Sequence, residues 1–229
     1  MGTLEDQIWV RLSEAWATWI LLIIILLVYV FAAGVEGFIW GPSQENLLRW
    51  GALNASKIDE GEVWRLSSSL MLHGGILHVG LNSLALVALG RMAEAGFGTI
   101  STLSIVYISG LGGAFLSWSM GSLNTVGLSG GLFGLLAALS VFGWKYRAKL
   151  PGELGNTLRK KLGFLGLLNL FIGLWIPMID NPSHFGGYAV GTVLGLCLGH
   201  YGEKEKRFEE VFLGLVSLLG ILITVYSYF

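Results

Sequence analysis

The chain has 229 residues, of which 54% are hydrophobic and 13% are charged, and its mean hydropathy is +0.69. Soluble domains carry charged residues at about a quarter of their positions, so this composition excludes a soluble globular protein. The net charge of -1 leaves no basic excess for nucleic acid, and a single cysteine, Cys197, excludes an intramolecular disulfide and a cysteine metal cluster. We expect Cys197, which lies in an apolar stretch, to be a packing residue.

Seven apolar stretches, each close to the length of about 20 residues that a membrane span needs, follow one another along the chain. Backbone groups in lipid must form hydrogen bonds within their own segment, so each stretch is predicted to be a helix. Acidic residues rather than a basic segment precede the first stretch, which indicates a retained membrane helix and not a signal peptide. The fold class is therefore all-α, a polytopic membrane helix bundle. The predicted spans are residues 15–39, 70–90, 100–120, 127–144, 162–178, 183–200 and 211–228.

Lysine and arginine are unevenly distributed among the predicted loops. The loop after the fourth span holds six basic residues against one acid, Glu153, while the loop before that span has no charge. Basic loops stay in the cytoplasm, so residues 1–14 and the loop that begins residues 201–229 are predicted to be cytoplasmic. The loop 41–65 is then outside, and we expect the protein in the plasma membrane. The six basic residues are Lys145, Arg147, Lys149, Arg159, Lys160 and Lys161.

The loop 41–65 mixes apolar and polar residues. Trp50 and Trp64 are amphipathic aromatic side chains of the kind that settle among lipid headgroups, so we expect this loop to lie on the outer membrane interface. Arg65 could bind a lipid phosphate, although a structural contact within the loop is the favoured interpretation.

Four polar residues lie inside predicted spans at similar depths below the outer surface. His78 and Asn82 are four residues apart on one face of the second span, whereas Ser129 and His184 lie near the starts of the fourth and sixth spans. Polar groups inside a membrane are costly, so their convergence from three helices indicates a functional site. His73 precedes His78 by five residues, so we expect it to point elsewhere and to hold the outer loop.

This set of side chains fits acyl transfer. A serine hydroxyl becomes an effective nucleophile when a base takes its proton, and histidine has a suitable pKa for that task. Ser129 and His184 supply this pair. The side chains of His78 and Asn82, with the backbone N–H groups of Leu128 and Ser129, are candidate donors to the oxyanion of the tetrahedral intermediate.

Glycines accompany both members of the pair. Four repeat every fourth residue along the sixth span, and four others flank Ser129. Small residues at this spacing allow two helix backbones to approach closely, which would bring Ser129 within hydrogen-bond reach of His184. The glycines are Gly187, Gly191, Gly195 and Gly199 on the sixth span, and Gly127, Gly130, Gly131 and Gly134 on the fourth.

Taken in order, the motifs from about residue 48 to 200 resemble the rhomboid family of intramembrane serine proteases. The resemblance implies a six-helix core, residues 15–200, with Ser129 as nucleophile, His184 as general base and His78 and Asn82 as oxyanion-hole side chains. The motifs are Trp64-Arg65, His73, His78 with Asn82, Gly90 with Arg91 and Glu94, Gly110-Leu111-Gly112-Gly113, Gly127-Leu128-Ser129-Gly130, and Ser183-His184-Phe185-Gly186-Gly187.

The same resemblance gives roles to other parts of the chain. Phe133, one turn after Ser129, is expected to pack against the His184 ring, where many family members have tyrosine. Gly127 and Gly187 are expected to support the site by close backbone packing. The fifth helix is the one that usually moves aside for substrate in this family, and the seventh span, 211–228, is an addition to the core that we interpret as an accessory helix.

Three charged or polar positions have competing interpretations. Asp180 lies one turn before His184 and could form a catalytic triad, but we favour a Ser-His dyad. The run Asp180-Asn181-Pro182 favours a turn in which Asn181 caps the sixth helix. Arg91 and Glu94 are expected to form a solvated or capping pair at a cytoplasmic helix end.

Other classes of membrane protein fit less well. A zinc protease needs a His-Glu-x-x-His helix, and an aspartyl protease needs two intramembrane aspartates, whereas Asp180 is the only aspartate after residue 60. A transporter or channel would carry charges near the midplane, which this chain does not. A non-catalytic membrane chaperone that binds client helices remains the alternative.

We therefore expect a serine endopeptidase that cleaves peptide bonds in or beside the transmembrane segments of other membrane proteins, near the outer face. Its partners would be these substrates and membrane lipid, without nucleic acid. The chemistry implies no metal or other cofactor. The sequence leaves the substrate and the oligomeric state open.

Overall fold

The computed structural model describes residues 14–35, 37–150, 152–176 and 178–198, together with positions 214, 217 and 220. Within the continuous ranges, six helices exceed ten residues, and we number them in chain order. They are α1 (Trp16–Ala33), α2 (Ile76–Phe97), α3 (Thr99–Ser119), α4 (Ser129–Lys145), α5 (Gly163–Gly173) and α6 (Asn181–Cys197). The predicted all-α membrane bundle is confirmed.

Shorter elements fill the connections. The 41–65 region and the approach to α2 contain helical turns and a two-residue strand, and a second strand precedes α4. A π-helical turn leads directly into α5. These elements are Gln44–Arg49, β1 (Leu53–Asn54), Ala55–Asp59, Arg65–Ser68, Ser69–Met71, β2 (Leu123–Thr125), Leu154–Thr157 and Leu158–Leu162.

The helices differ in length. By length and apolar composition, α1, α2 and α3 can each cross a membrane, whereas α4 has 17 residues and α5 has 11. The predicted span 127–144 thus began two residues before α4, which ends at Lys145, and the predicted span 162–178 extended past the end of α5 at Gly173. Gly127 has a φ of 131°, which is incompatible with a helix, so α4 begins only at Ser129.

The predicted seventh helix falls almost entirely outside the described residues, as do most of residues 1–14 and 201–229. Gly214, Ser217 and Gly220 are described, and each is helical. The Ser217 hydroxyl lies 3.2 Å from the hydroxyl of Ser104 on α3. The accessory helix remains a prediction.

Helix α4 forms the centre of the bundle, and α6 packs against it through glycines. A Cβ at Gly195 would lie 2.8 Å from the Ala138 Cα, and a Cβ at Gly191 would collide with the backbone of Gly134. The prediction of close backbone packing is confirmed for α6 as far as the structure describes it; Gly199 lies outside the described residues. This packing brings the first turns of α4 and α6 side by side.

The loops that connect the helices lie at two opposite ends of the bundle. At one end β1 pairs antiparallel with β2, which joins the 41–65 loop to the loop before α4. At the other end the start of α1 contacts Glu94 near the end of α2. The alternation of loops between two ends is confirmed, and the assignment of the β1–β2 end to the outside remains a prediction.

Glu94 is buried and caps a different helix. Its carboxylate accepts hydrogen bonds from the backbone N–H groups of Ala17 and Thr18, at 3.0 and 2.9 Å, and from the Thr18 hydroxyl at 2.7 Å. The first N–H groups of a helix have no partner within it, so a carboxylate there is stabilising. Of the two predicted alternatives, a solvated or a capping role, the solvated one was wrong for Glu94, because its carboxylate is buried and caps α1 across the bundle.

Arg65 anchors the 41–65 loop from within. Its guanidinium donates to the carbonyl oxygens of Leu48 and Ala52 at 2.7 and 3.1 Å and to the Glu62 carboxylate. Burial raises the pKa of Glu62, but Arg65 and Lys57 outweigh it and hold that pKa below its ordinary value. The predicted structural contact of Arg65 is confirmed.

Two residues occupy environments opposite to those predicted. Trp64 is only 9% exposed, with the Arg65 guanidinium 4.6 Å from the centre of its ring, so it is packed within the loop and not on its surface. Cys197 is exposed at the end of α6 instead of packed in the core. In both cases the apolar pattern predicted membrane contact or packing, and the position of neighbouring helices decided which side chain was covered.

Candidate active site

Ser129 and His184 are brought into direct contact. Ser129 is the first residue of α4, and His184 lies in the first turn of α6. The His184 Nε2 and the Ser129 Oγ are 2.8 Å apart, which is a normal hydrogen-bond distance. A contact between residues 55 positions apart results from the glycine packing, since Gly187 of α6 lies against Gly130 of α4 with space for no Cβ.

The His184 ring is held on one face by Phe133. The two rings are stacked, with centroids 4.2 Å apart and an angle of 18° between their planes. Phe133 follows Ser129 by one turn of α4, so both side chains lie on the same helix face. The Nδ1 atom of His184 is buried and has no hydrogen-bond partner in the described part of the chain.

Asp180 is turned away from the His184 ring. Its Oδ1 accepts from the Ser183 backbone N–H at 3.3 Å, which makes Asp180 the N-cap of α6, and its Oδ2 accepts from the Ser117 hydroxyl at 2.5 Å. The prediction that Asn181 is the cap was wrong. Asn181 is the first helical residue and is buried, and its side chain donates to the Leu170 carbonyl of α5 at 3.2 Å.

His78 approaches the start of α4 from α2. Its Nδ1 accepts a hydrogen bond from the Gly74 N–H at 3.3 Å, so in the neutral ring the Nε2 carries the proton. A Cβ at Gly127 would lie 2.8 Å from that Nε2 and 3.7 Å from the Ser129 Oγ. The absence of a side chain at Gly127 therefore leaves open the space between the His78 donor and the serine hydroxyl.

Asn82 lies one turn further along α2. Its Nδ2 donates to the His78 carbonyl at 2.9 Å, and its Oδ1 is buried without a partner among the described residues. Asn82 thus lies next to His78, and its side chain forms no hydrogen bond with Ser129.

The backbone before Ser129 completes the surroundings of the serine. Leu128 is fully buried as the N-cap residue of α4, and Gly127 is anchored by its N–H to the Ser69 carbonyl at 3.0 Å. The first N–H groups of α4 have no partner within the helix and carry its partial positive charge. They are available to a group that develops negative charge beside Ser129.

His73 differs from its predicted orientation. Its ring is 1% exposed and packs edge-on against His78, with centroids 5.0 Å apart. The expectation that it points elsewhere assumed helical spacing, but α2 begins only at Ile76, so His73 lies in the non-helical segment before that helix. Its buried position fits the structural role that was expected.

Sequence reasoning missed Ser117 and gave no separate role to Ser183, which it named only as part of a motif. Ser117 holds Asp180, and the Ser183 hydroxyl lies 2.9 Å from where a Cβ on Gly113 or Gly130 would stand. Serines are common in membrane helices, so Ser117 carried no signal in the sequence. Within the described ranges, no group of three or more His, Cys, Asp and Glu side chains is arranged to hold a metal ion.

Comparisons with known proteins agree on one family. The family model of the Rhomboid domain matches residues 60–201. RHOMBOID-like protein 5 of Arabidopsis thaliana is 39% identical over 183 residues, which are 76% of this chain and 57% of that protein. Rhomboid protease GluP of Bacillus subtilis is 31% identical over 179 residues, which are 78% of this chain and 34% of that protein.

A third relative, Rhomboid-like protease 3 of Toxoplasma gondii, is 26% identical over 93% of this chain and 80% of its own length. The chain spans about half the length of the Arabidopsis relatives it matches. The domain match alone covers more than half of the chain and includes all the predicted site residues. The chain therefore belongs to the rhomboid family, and it is an integral membrane protein.

Proposed function

We propose that this protein is an intramembrane serine endopeptidase with a Ser129–His184 dyad. The observation that carries the proposal is the 2.8 Å separation of the His184 Nε2 and the Ser129 Oγ at the junction of two apolar helices. A serine hydroxyl paired with an imidazole is the minimum arrangement for nucleophilic acyl transfer. Among the described residues no carboxylate reaches the His184 Nδ1, which supports a dyad over a triad.

The reaction has two halves. His184 accepts the Ser129 proton at Nε2 while the Oγ attacks the peptide carbonyl carbon, and the tetrahedral intermediate then expels the amine, which takes the proton from His184. Water next gives a proton to the same Nε2 and attacks the acyl-serine ester, releasing the new carboxylate and restoring the Ser129 hydroxyl. Stacking on Phe133 keeps the imidazole in one orientation through both halves.

The oxyanion would be stabilised from α2 and from the start of α4. The His78 Nε2–H faces the space over Gly127, and the Leu128 and Ser129 N–H groups belong to the unpaired N-terminus of α4. Asn82 would contribute the second hydrogen of its side-chain amide, which the bond to the His78 carbonyl does not use. Donors aimed at developing charge in a site with little water are worth more than in solution.

The substrates proposed are transmembrane segments of other proteins. A helical backbone uses its carbonyl groups in its own hydrogen bonds, so the cleaved segment has to unwind, and small or helix-breaking residues would favour cleavage. The site lies at the β1–β2 end of the bundle, which we assign to the outer face. The water that the second half requires would reach Ser129 from this side.

The proposed orientation follows from the distribution of basic residues. The basic loop after α4 lies at the opposite end from the site, and we propose that this end faces the cytoplasm, together with the N-terminus. The plasma membrane is the proposed location.

The test is labelling of the purified protein in detergent with a fluorophosphonate probe, which reacts with activated serines. Wild type should be labelled, Ser129→Ala and His184→Ala should not, and Ser119→Ala, an exposed serine at the end of α3, should behave as wild type. Cleavage of a co-reconstituted transmembrane substrate should follow the same pattern. A folded wild type that neither reacts nor cleaves would contradict the proposal and favour the alternative, a non-catalytic chaperone for client helices.

A further inference from the structure

The Asp180 side chain connects two helices that otherwise meet through glycines. One carboxylate oxygen caps α6 at the Ser183 N–H, and the other accepts the Ser117 hydroxyl at 2.5 Å. Ser117 is completely buried, two residues before the end of α3. The first turn of α6 is therefore joined to the outer end of α3 by a side-chain link between residues 63 positions apart in sequence.

This link lies one turn before His184. The His184 backbone N–H bonds to the Asp180 carbonyl at 3.3 Å, so a displacement of Asp180 would carry His184 with it. The glycine contacts with α4 determine how close α6 lies to α4. A directional hydrogen bond to α3 supplies the constraint along the axis.

We propose that the Ser117–Asp180 pair is a positioning device that sets the depth of His184 relative to Ser129. This inference rests on the proposed protease function. Asp180 acts through the backbone of α6 and exchanges no proton with the imidazole. A displacement of about 1 Å in a catalytic group can lower the rate by about a hundredfold, so even a loosened link should be measurable.

The chemistry of the link predicts which substitutions it tolerates. Asparagine at 180 can cap the helix with its Oδ1 and donate its Nδ2–H to the Ser117 oxygen, with the direction of that bond reversed. Serine at 180 can still cap α6, but its side chain is too short to reach Ser117. Asp180→Ser thus separates the link to α3 from the capping of the helix.

The experiment measures kcat and KM on a reconstituted transmembrane substrate, the fluorophosphonate labelling rate and the pH–rate profile. Asp180→Ser and Ser117→Ala should each lower kcat and the labelling rate by about tenfold or more with little change in KM. The double variant should be no slower than the slower single variant, because both remove the same link. Asp180→Asn should retain most activity and an unchanged pH profile.

A matched control lies beside Ser117 on α3. The Trp118 indole donates to the Asp59 carboxylate at 2.8 Å, so Asp59→Ala removes a similar hydrogen bond from the same helix end without touching α6. Its kcat should stay close to that of wild type. Thermal unfolding of each variant shows whether a loss of kcat comes from misfolding. If one of Ser117→Ala and Asp180→Ser is misfolded, the other, folded variant decides the test.

Three outcomes would overturn the inference. Full activity of both Asp180→Ser and Ser117→Ala would remove the positioning role, and additive losses in the double variant would show two independent effects. Inactivity of Asp180→Asn as deep as that of Ser129→Ala would make Asp180 a triad acid. If wild type itself neither reacts nor cleaves, the proposed function fails and the inference with it, whereas active wild type with active link variants overturns the inference alone.

Discussion

Gly187 of α6 lies directly against Gly130 of α4, so that a Cβ added to Gly187 would stand 3.0 Å from the Gly130 Cα and still closer to its carbonyl. This contact lies beside the dyad, because Gly130 follows Ser129 and Gly187 lies one turn after His184. The closeness of two backbones here determines the distance between the serine and the histidine.

Gly187→Ala should therefore both destabilise the bundle and separate the dyad. Forcing a methyl group into a packed contact costs about 1–3 kcal/mol, and the neighbours of Gly187 are backbone atoms that cannot rotate away. Unfolding in a titration with denaturing detergent would measure the stability of the bundle. The rate of fluorophosphonate labelling would measure whether the dyad is still in place. Gly80→Ala is the matched control, since a Cβ at Gly80 meets nothing within 4 Å. Equal behaviour of the two variants would contradict the packing argument.

Phe133 should affect the rate through the orientation of the His184 ring. Stacked aromatic pairs contribute about 0.5–1.5 kcal/mol beyond their buried area, so Phe133→Leu should slow labelling by roughly two- to tenfold. Phe133→Tyr keeps the ring and should stay near wild type. The measurement is the second-order rate of fluorophosphonate labelling for the three proteins, and a Leu variant as fast as wild type would show that stacking does not matter.

Asn82→Ala should lower kcat by about a hundredfold with little change in KM, because an oxyanion donor acts on the transition state and not on the bound substrate. The neighbouring Ser83 hydroxyl donates to the Val79 carbonyl of its own helix, so Ser83→Ala serves as the control. Steady-state kinetics on a reconstituted substrate would test both. An unchanged kcat for Asn82→Ala would remove this residue from the oxyanion hole.

Glu94→Ala should destabilise the protein without entering the chemistry. It would leave two backbone N–H groups and the Thr18 hydroxyl without their buried acceptor, at a cost of about 1–3 kcal/mol for each group that stays unsatisfied. Glu60→Ala, at an exposed acid in the 41–65 loop, should change little. Thermal unfolding in detergent compares the two, and an unaffected melting temperature for Glu94→Ala would show that the cap of α1 is dispensable.

Several parts of the fold and the candidate site could be predicted from the sequence because they depend on local pattern. Long apolar runs have to form helices in lipid, so the runs predicted which segments make up the helix bundle. Polar residues inside such runs are costly, so Ser129, His184, His78 and Asn82 stand out from their apolar surroundings by residue type alone. The four-residue glycine spacing on α6 likewise predicted its close contact with α4, which Gly191 and Gly195 confirm.

Other features required the tertiary structure, because each depends on a partner far away in the chain. Glu94 caps α1 through Thr18, which lies 76 positions earlier, and Asp180 finds Ser117 on another helix. The run Asp180-Asn181-Pro182 does not by itself indicate whether Asp180 or Asn181 is the N-cap of α6. The environment of the Trp64 side chain could not be predicted either, since an amphipathic ring suits both the membrane interface and a buried position beneath Arg65.

The sequence by itself therefore determined the membrane class, the approximate spans and the polar residues of the site, since hydropathy and spacing are properties of single segments. Only the tertiary structure decided the 2.8 Å approach of His184 to Ser129, the stacking on Phe133 and the link from Asp180 to Ser117. Those contacts are set by how closely three helix backbones approach and how far each is shifted along its axis. Neither quantity is encoded in the pattern of any one helix.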